Sequence, residues 1–129
     1  MAEAFPREPD ANGKNGGVYA DRIRALALSL PQTYEDRPWG FPVFKVGDNK
    51  LFAWMAEDGS ELTVKLTREE REIAQLLPWV RTASHVGRYG WITATIADDD
   101  ALAAGLEWLR ESYWLKAPAD VREAAFADA

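Results

Sequence analysis

Basic and aromatic residues occupy alternate positions along several predicted strands of this sequence. Lys45 and Lys65 each stand between two apolar residues, and Trp91 begins a run in which polar and apolar residues alternate. Since successive side chains of a strand point to opposite faces of a sheet, these three are predicted to lie on the face away from the core. The candidate surface, with the residues expected beside it, comprises Lys45, Lys65, Trp91, His85, Arg88 and Trp39, with Trp54 as a further edge residue.

Such a surface suits more than one kind of ligand. Cations among exposed aromatic rings can bind phosphates while the rings stack on nucleic-acid bases. The same residues also suit a small anion, such as a phosphate or carboxylate metabolite. A third interpretation assigns no ligand, because aromatic residues can simply cover a half-open sheet whose lysines are solvated.

Catalytic and metal chemistry is limited, since the sequence has one histidine, His85, and no cysteine. Zinc sites commonly need three or four ligands of the imidazole or thiolate type, so no metal is expected. Ser84 adjoins His85, but neighbours in an extended segment point in opposite directions, which argues against a Ser–His pair. The sequence lacks dinucleotide and phosphate-loop fingerprints, so no cofactor is expected. An enzyme is not favoured, although His85 acting as an acid or base keeps that class open.

The composition is that of one globular domain, with 129 residues of which 47% are hydrophobic and 28% charged. No window approaches the roughly 18 apolar residues of a membrane span, and the first residues do not resemble a signal peptide. A cytoplasmic protein without membrane contact is therefore predicted. The formal net charge of -6 lies mainly in the C-terminal quarter, which leaves the middle of the chain able to carry a basic face.

Local patterns predict the element order α-β-β-β-α-β-α. Thr67-Arg68-Glu69-Glu70 forms a capping box, and the run Asp98-Asp99-Asp100 is expected to supply the cap of the last helix. The predicted elements are a helix from Val18 to Leu30, a structured loop over 32–42, strands at Val43–Val46, Leu51–Glu57 and Glu61–Leu66, a helix from Arg68 to Leu77, a loop before a strand at Trp91–Ile96, and a long last helix with the buried stripe Leu102, Leu106, Leu109 and Tyr113.

Strands joined by short turns imply an antiparallel sheet with helices on one face, which is an α+β two-layer sandwich. Residues 1–17 are predicted to form a disordered tail because they contain little apolar area to bury. Residues 18–117 are predicted to form the domain, and 118–129 a C-terminal extension with room for a short helix.

Six segments of the sequence, taken in order, closely resemble the MmcQ/YjbR family. They lie between about residues 20 and 116 and are Glu35-x-x-Pro38-Trp39-Gly40, Pro42-Val43-Phe44-Lys45-Val46, Lys50-Leu51-Phe52-Ala53, Leu62-Thr63-Val64-Lys65, His85-x-Gly87-Arg88-x-Gly90-Trp91 and Glu111-Ser112-Tyr113. Their order and spacing carry the resemblance, which implies a frataxin-like (CyaY-like) α+β fold with an antiparallel sheet.

The resemblance also implies a function. Members of the family are described as predicted DNA-binding proteins with a winged motif formed by sheet hairpins. Carried over to this sequence, the signature positions are Glu35, Trp39, Lys45, Lys65, His85, Arg88 and Trp91. Iron binding is not implied, because the resemblance to frataxins is one of fold alone.

Two binding functions follow from these observations. The first is a nucleic-acid-binding module that uses the outer sheet face and the hairpin wings, and the negative net charge predicts weak binding of DNA or RNA, roughly micromolar at best. The alternative is a binding protein for a small anionic ligand or an acidic peptide around His85 and Arg88. A monomer is favoured in either case.

Overall fold

The computed structural model describes residues 16–84 and 86–127, which form four helices and six strands. A short 3₁₀ turn at Gly87–Tyr89 precedes the last strand. The elements in chain order are α1 (Gly16–Ser29), β1 (Thr33–Asp36), β2 (Val43–Val46), β3 (Lys50–Met55), β4 (Glu61–Lys65), α2 (Arg68–Ala74), β5 (Val80–Thr82), β6 (Trp91–Thr95), α3 (Asp99–Lys116) and α4 (Ala119–Ala127).

All six strands belong to one antiparallel sheet with the order β1-β2-β3-β4-β6-β5. The helices pack on one side of this sheet, where α3 lies across β3 and β4 and α1 lies against β1 and α3. This arrangement confirms the predicted α+β class, with an antiparallel sheet and one layer of helices.

The edge strands β1 and β5 lie in segments whose sequences predict loops. β1 reads Thr-Tyr-Glu-Asp and has no apolar alternation, yet it pairs with β2 along its length. Gln32 adopts a left-handed φ of 60°, which turns the chain back toward β2. β5 has three residues and pairs with β6. Because these strands are held by backbone pairing rather than by an apolar face, hydrophobic periodicity does not reveal them.

Helix starts follow local capping rules. The Thr67 hydroxyl accepts a hydrogen bond from the Glu70 N–H at 3.2 Å, and the Asp98 carboxylate accepts one from the Ala101 N–H at 2.8 Å. Both predicted helix starts are thus confirmed. α2 ends at Ala74 rather than at Leu77, because the N–H groups of Leu76 and Leu77 bond three residues back, in tighter turns.

The buried stripe of α3 differs from the prediction at one position. Leu102, Leu109 and Tyr113 are buried, whereas Leu106 is only partly buried at the edge of the core. Gly105 takes the central place instead, since a Cβ there would lie 3.2 Å from the Ile96 side chain. The close approach of α3 to the sheet at this glycine rotates Leu106 away from the centre.

Ser112 of α3 links β3 to β4 at the point where the direct backbone pairing of the two strands ends. The register between β2 and β3 shifts after Phe44, which leaves one additional residue in β3. The buried Ser112 hydroxyl donates to the Phe52 carbonyl at 2.6 Å and accepts from the Lys65 N–H at 2.9 Å. These two bonds fix the backbone of Lys65, the last residue of β4.

Candidate anion-binding site

Trp91 lies on the sheet face away from the helices, as the alternation predicts, but it is packed rather than open. Its ring stacks on Trp54 with centroids 5.1 Å apart, and only 8% of the residue is exposed. Beside this pair the buried hydroxyls of Thr63 and Thr93 are 2.8 Å apart. Side chains in the middle of this face therefore cover one another, which leaves little of the Trp91 ring for base stacking.

Lys45 is not the solvent-facing cation that the alternation predicts. Its ammonium donates to the Asp36 carboxylate at 2.8 Å, and its side chain is 14% exposed. The cause is β1, which pairs with β2 and brings Asp36 beside Lys45. A hydrogen bond from Lys45 lowers the pKa of Asp36 below its ordinary value, as does a bond from the Arg37 N–H.

Glu35 and Trp39 lie in different surroundings. Glu35 accepts from Arg24 of α1 at 2.8 Å, and a second guanidinium, that of Arg37, lies 3.6 Å away. Arg37 in turn pairs with Glu57 at 2.7 Å. Glu35 is thus part of a charge network that joins α1 to β1. Trp39 is 55% exposed in the loop between β1 and β2.

His85 lies outside the described residues, and so does the side chain of Arg88. The backbone of Arg88 belongs to the 3₁₀ turn that ends at Gly90, which has a left-handed φ of 96°. The Gly90 carbonyl accepts the Leu66 N–H at 3.0 Å. This bond ties the loop to the end of β4, so the loop that carries His85 and Arg88 borders Lys65.

Two cations from different elements, Lys65 and Arg71, lie together at this end of the sheet, and the positive charge of Lys116 acts on Lys65; we call these three residues the cationic cluster. Lys65 ends β4, Arg71 lies in α2 and Lys116 ends α3. The Lys65 ammonium donates to the Tyr89 carbonyl. A Cβ built on Gly90 would lie 2.9 Å from Arg71 Nη1 and 3.5 Å from Lys65 Nζ. The absence of a side chain at Gly90 therefore allows these two cations to converge.

The cationic cluster has no carboxylate partner within the described part of the chain. All three residues are half-buried, yet none forms an ion pair there. By contrast, three other half-buried cations, Arg24, Lys45 and Arg81, pair with carboxylates at 2.8, 2.8 and 3.3 Å, while Arg122 donates to the Trp114 carbonyl at 3.0 Å. Incomplete hydration and mutual repulsion both make the cluster unfavourable on its own.

The electrostatics of Lys65 reflect this environment. Burial lowers the pKa of its ammonium below the ordinary value, and the positive charges of Lys116 and Arg71 lower it further. An anion placed among the three would oppose all of these effects. The chemistry that the cluster supports is therefore binding of a negatively charged group by one guanidinium and two ammonium groups.

The two hairpin turns expected as wings both pack against helices. Gly47, in the β2–β3 turn, lies close enough to α4 that a Cβ would be 3.3 Å from the Pro118 ring. Gly59, in the β3–β4 turn, has a φ of 77°, and a Cβ there would lie 2.4 Å from the backbone nitrogen of Ala20 in α1. Neither turn projects freely at its glycine.

Sequence patterns identify only one member of the cationic cluster, Lys65. Arg71 and Lys116 are each explained locally as cations in the last turn of a helix, where they oppose the negative end of the helix dipole. Nothing local links Arg71 to Lys116, which come from helices far apart in the sequence, so only the packing of α2 and α3 around β4 reveals the group.

Within residues 16–84 and 86–127, no group of three or more His, Cys, Asp or Glu side chains could hold a metal ion. None of the helices in those ranges is both long and apolar enough to cross a membrane.

Comparison with known proteins identifies a family. The family model YjbR matches residues 28–115, which is more than half of the chain. The matched segment contains Lys65 and Arg71 and ends just before Lys116. No curated protein matches the sequence. The match confirms the family resemblance carried by the six sequence segments.

Proposed function

We propose that this chain, which belongs to the YjbR family, binds an anionic ligand at the cationic cluster. The observation that carries the proposal is that Lys65 and Arg71 lie together beside Gly90, half-buried and without a carboxylate partner in the described residues. The half-buried Lys116, likewise without such a partner there, adds positive charge that acts on Lys65. A half-buried charge has lost part of its hydration, and like charges repel one another. An anion supplied from outside relieves both penalties, so binding and stability are coupled at this site.

A compact anion fits the observations better than nucleic acid laid along the outer sheet face. On that face Lys45 is bonded to Asp36, and Trp91 is stacked on Trp54. The turns expected to act as wings pack against α4 and α1. These contacts already use the groups that an extended nucleic acid would need. The loop that carries His85 and Arg88 borders the cluster through Tyr89 and Gly90, which supports the small-anion alternative drawn from the sequence.

Calorimetric titration with inorganic phosphate tests the proposal directly. We expect wild-type protein to bind phosphate, and both Lys65→Ala and Arg71→Ala to weaken binding by about tenfold, the typical loss of one charge-assisted hydrogen bond. Arg22→Ala is the matched control, because Arg22 is an exposed cation on α1. No heat of binding to the wild type, or an equal loss in Arg22→Ala, contradicts the proposal.

A short single-stranded oligonucleotide, titrated at about 50 and 200 mM salt, separates the two binding functions. Each phosphate neutralised on a single strand contributes roughly -0.7 to the slope of log affinity against log salt. Contact with the cluster alone predicts a shallow slope and an affinity no better than that of phosphate. Tight binding with a steep slope supports the nucleic-acid module instead.

A further inference from the structure

Two cations of the cluster lie close together against Gly90, where the Leu66 carbonyl oxygen is also near. A Cβ at that position would lie 2.9 Å from Arg71 Nη1 and 3.5 Å from Lys65 Nζ, and Gly90 itself is buried with a left-handed φ of 96°. The Lys65 ammonium uses one donor on the Tyr89 carbonyl and keeps two more. The guanidinium of Arg71 and the ammonium of Lys65 are therefore near neighbours.

The charge of that ligand group follows from the charge of the site. Lys65, Arg71 and Lys116 together carry three positive charges, and none forms an ion pair within residues 16–84 and 86–127. One carboxylate or one phosphodiester brings a single negative charge. A dicarboxylate brings two, but on groups separated by a carbon chain, whereas the donors beside Gly90 converge. A phosphate monoester concentrates about 1.5 to 2 negative charges on one group at neutral pH.

Resting on the proposed function, we propose that the ligand group bound by the cationic cluster is a phosphate monoester, in preference to a phosphodiester or a carboxylate. The planar guanidinium of Arg71 presents paired donors that match two phosphate oxygens. Lys65 contributes a rotatable donor, and Lys116 supplies further positive charge. The lowered pKa of Lys65 agrees with this geometry, because a doubly charged anion compensates the repulsion from Lys116 and Arg71.

The preference has a consequence for nucleic acids. A DNA or RNA backbone consists of phosphodiesters, so an oligonucleotide meets the requirement only at a terminal phosphate. Small phosphorylated metabolites and phosphorylated ends share this chemistry. An oligonucleotide with a 5′-phosphate, compared with the same oligonucleotide without it, distinguishes binding of a terminal monoester from binding of the internal backbone.

The decisive experiment compares three probes that share a phenyl ring: phenyl phosphate, methyl phenyl phosphate and benzoate. They present a monoester, a diester and a carboxylate, and titration near pH 8 keeps the monoester doubly charged, since its second pKa is about 6. We expect wild-type protein to bind phenyl phosphate at least about tenfold tighter than either of the other two. We expect this preference to narrow in Lys65→Ala and Lys116→Ala and to persist in Arg22→Ala.

The possible outcomes separate the two proposals. Equal affinity for monoester and diester, or for monoester and benzoate, overturns the monoester preference while leaving anion binding in place. A preference that is unchanged in both lysine variants also overturns it, because the discrimination then arises elsewhere. Failure of all three probes and of inorganic phosphate overturns the proposed function itself. The comparison within the wild type does not depend on how well any variant folds.

Discussion

Half-buried cations are treated in opposite ways in two regions of this molecule. Along β1, which we call the paired-charge edge, the half-buried cations Arg24 and Lys45 each have a carboxylate at 2.8 Å, from Glu35 and Asp36 respectively. The exposed Arg37 of the same edge pairs with Glu57 at 2.7 Å. At the cationic cluster, cations of similar burial have no such partner within the described residues. The first arrangement neutralises charge within the fold, and the second does not.

The difference does not come from a shortage of acidic residues. The chain has 21 Asp and Glu against 15 Lys and Arg, so carboxylates are in excess overall. Cations that have no carboxylate partner among residues 16–84 and 86–127 are costly in an acidic protein, because they lose hydration and repel one another. The comparison teaches that the fold neutralises its own charge at one edge, whereas at the cationic cluster the proposed ligand would supply the opposite charge.

The largest expected effect on stability is that of Ser112→Ala, because Ser112 holds the backbone of Lys65 in the cationic cluster. This change leaves the Phe52 carbonyl and the Lys65 N–H without their partner in a buried place. Orphaned buried groups cost about 1–3 kcal/mol each, so we expect a loss of roughly 2–4 kcal/mol in the free energy of unfolding. Urea denaturation measures the loss, and phosphate affinity should fall with it because Lys65 loses its fixed backbone.

Ser29→Ala is the matched control for this serine. The Ser29 hydroxyl also donates to a backbone carbonyl, at 2.7 Å, but it is exposed at the end of α1. We expect a change within about 0.5 kcal/mol. Similar losses in the two variants would show that Ser112 has no special role in holding the end of β4.

The next effect belongs to the paired-charge edge. Glu35→Ala leaves the Arg24 guanidinium half-buried without its partner, and we expect a loss of about 1–2 kcal/mol in the free energy of unfolding. Glu57→Ala removes a more exposed pair and is expected to cost less than about 1 kcal/mol. Neither variant should alter phosphate affinity. A loss of anion binding in Glu35→Ala would contradict the separation of the two regions.

Much of the fold that carries these regions is predictable because it follows local rules. Thr67 and Asp98 cap helices as their types and spacing predict, and the strands beside Gly47 and Gly59 pair as hairpins. The strand β1 is not predictable in this way, because Glu35 and its neighbours show no apolar alternation. Tertiary pairing with β2 alone makes this segment a strand.

The candidate site is less predictable for a related reason. Alternation gives the face on which Lys45 and Trp91 lie, but it does not tell what covers that face. Lys45 is covered by Asp36 and Trp91 by Trp54, and both covering residues come from other strands. The exposure of a side chain on this face depends on such neighbours from other elements. The grouping of Lys65 with Arg71 and Lys116, which belong to two helices, likewise depends on tertiary packing.

A smaller effect is expected when the cluster itself loses a charge without any ligand present. Lys116→Gln removes repulsion on Lys65, and it also removes a favourable interaction with the C-terminal end of α3. These contributions oppose one another, so we expect the free energy of unfolding to change by less than about 0.5 kcal/mol. A loss as large as that of Glu35→Ala would show that Lys116 serves the fold, and the contrast between the regions would fail.

Acid titration probes the paired-charge edge through Asp36. Its pKa is lowered in the folded chain, first by the hydrogen bond from Lys45. A carboxyl with a lowered folded pKa contributes stability that is present above its unfolded value, about 3.9, and lost as the pH falls through the folded value. Asp36→Asn should therefore destabilise the protein at neutral pH and approach the wild type in acid. A difference independent of pH would contradict the interaction.

The smallest effect is expected on the alkaline side, at Lys65. Burial and the charges of Lys116 and Arg71 lower its pKa in the folded chain below 10.5. Between the folded and unfolded pKa values the unfolded chain binds more protons, so stability rises with pH in that window. Below it, both states carry the charge and the penalty on folding is fully present. Measured by urea denaturation as the pH is raised to the unfolded value of 10.5, the stability of the wild type relative to Lys65→Met should therefore increase, and saturating phosphate should weaken this trend by compensating the charge. A relative stability that falls with rising pH would mean that Lys65 has a partner that favours its charged form, and the cationic cluster would then resemble the paired-charge edge.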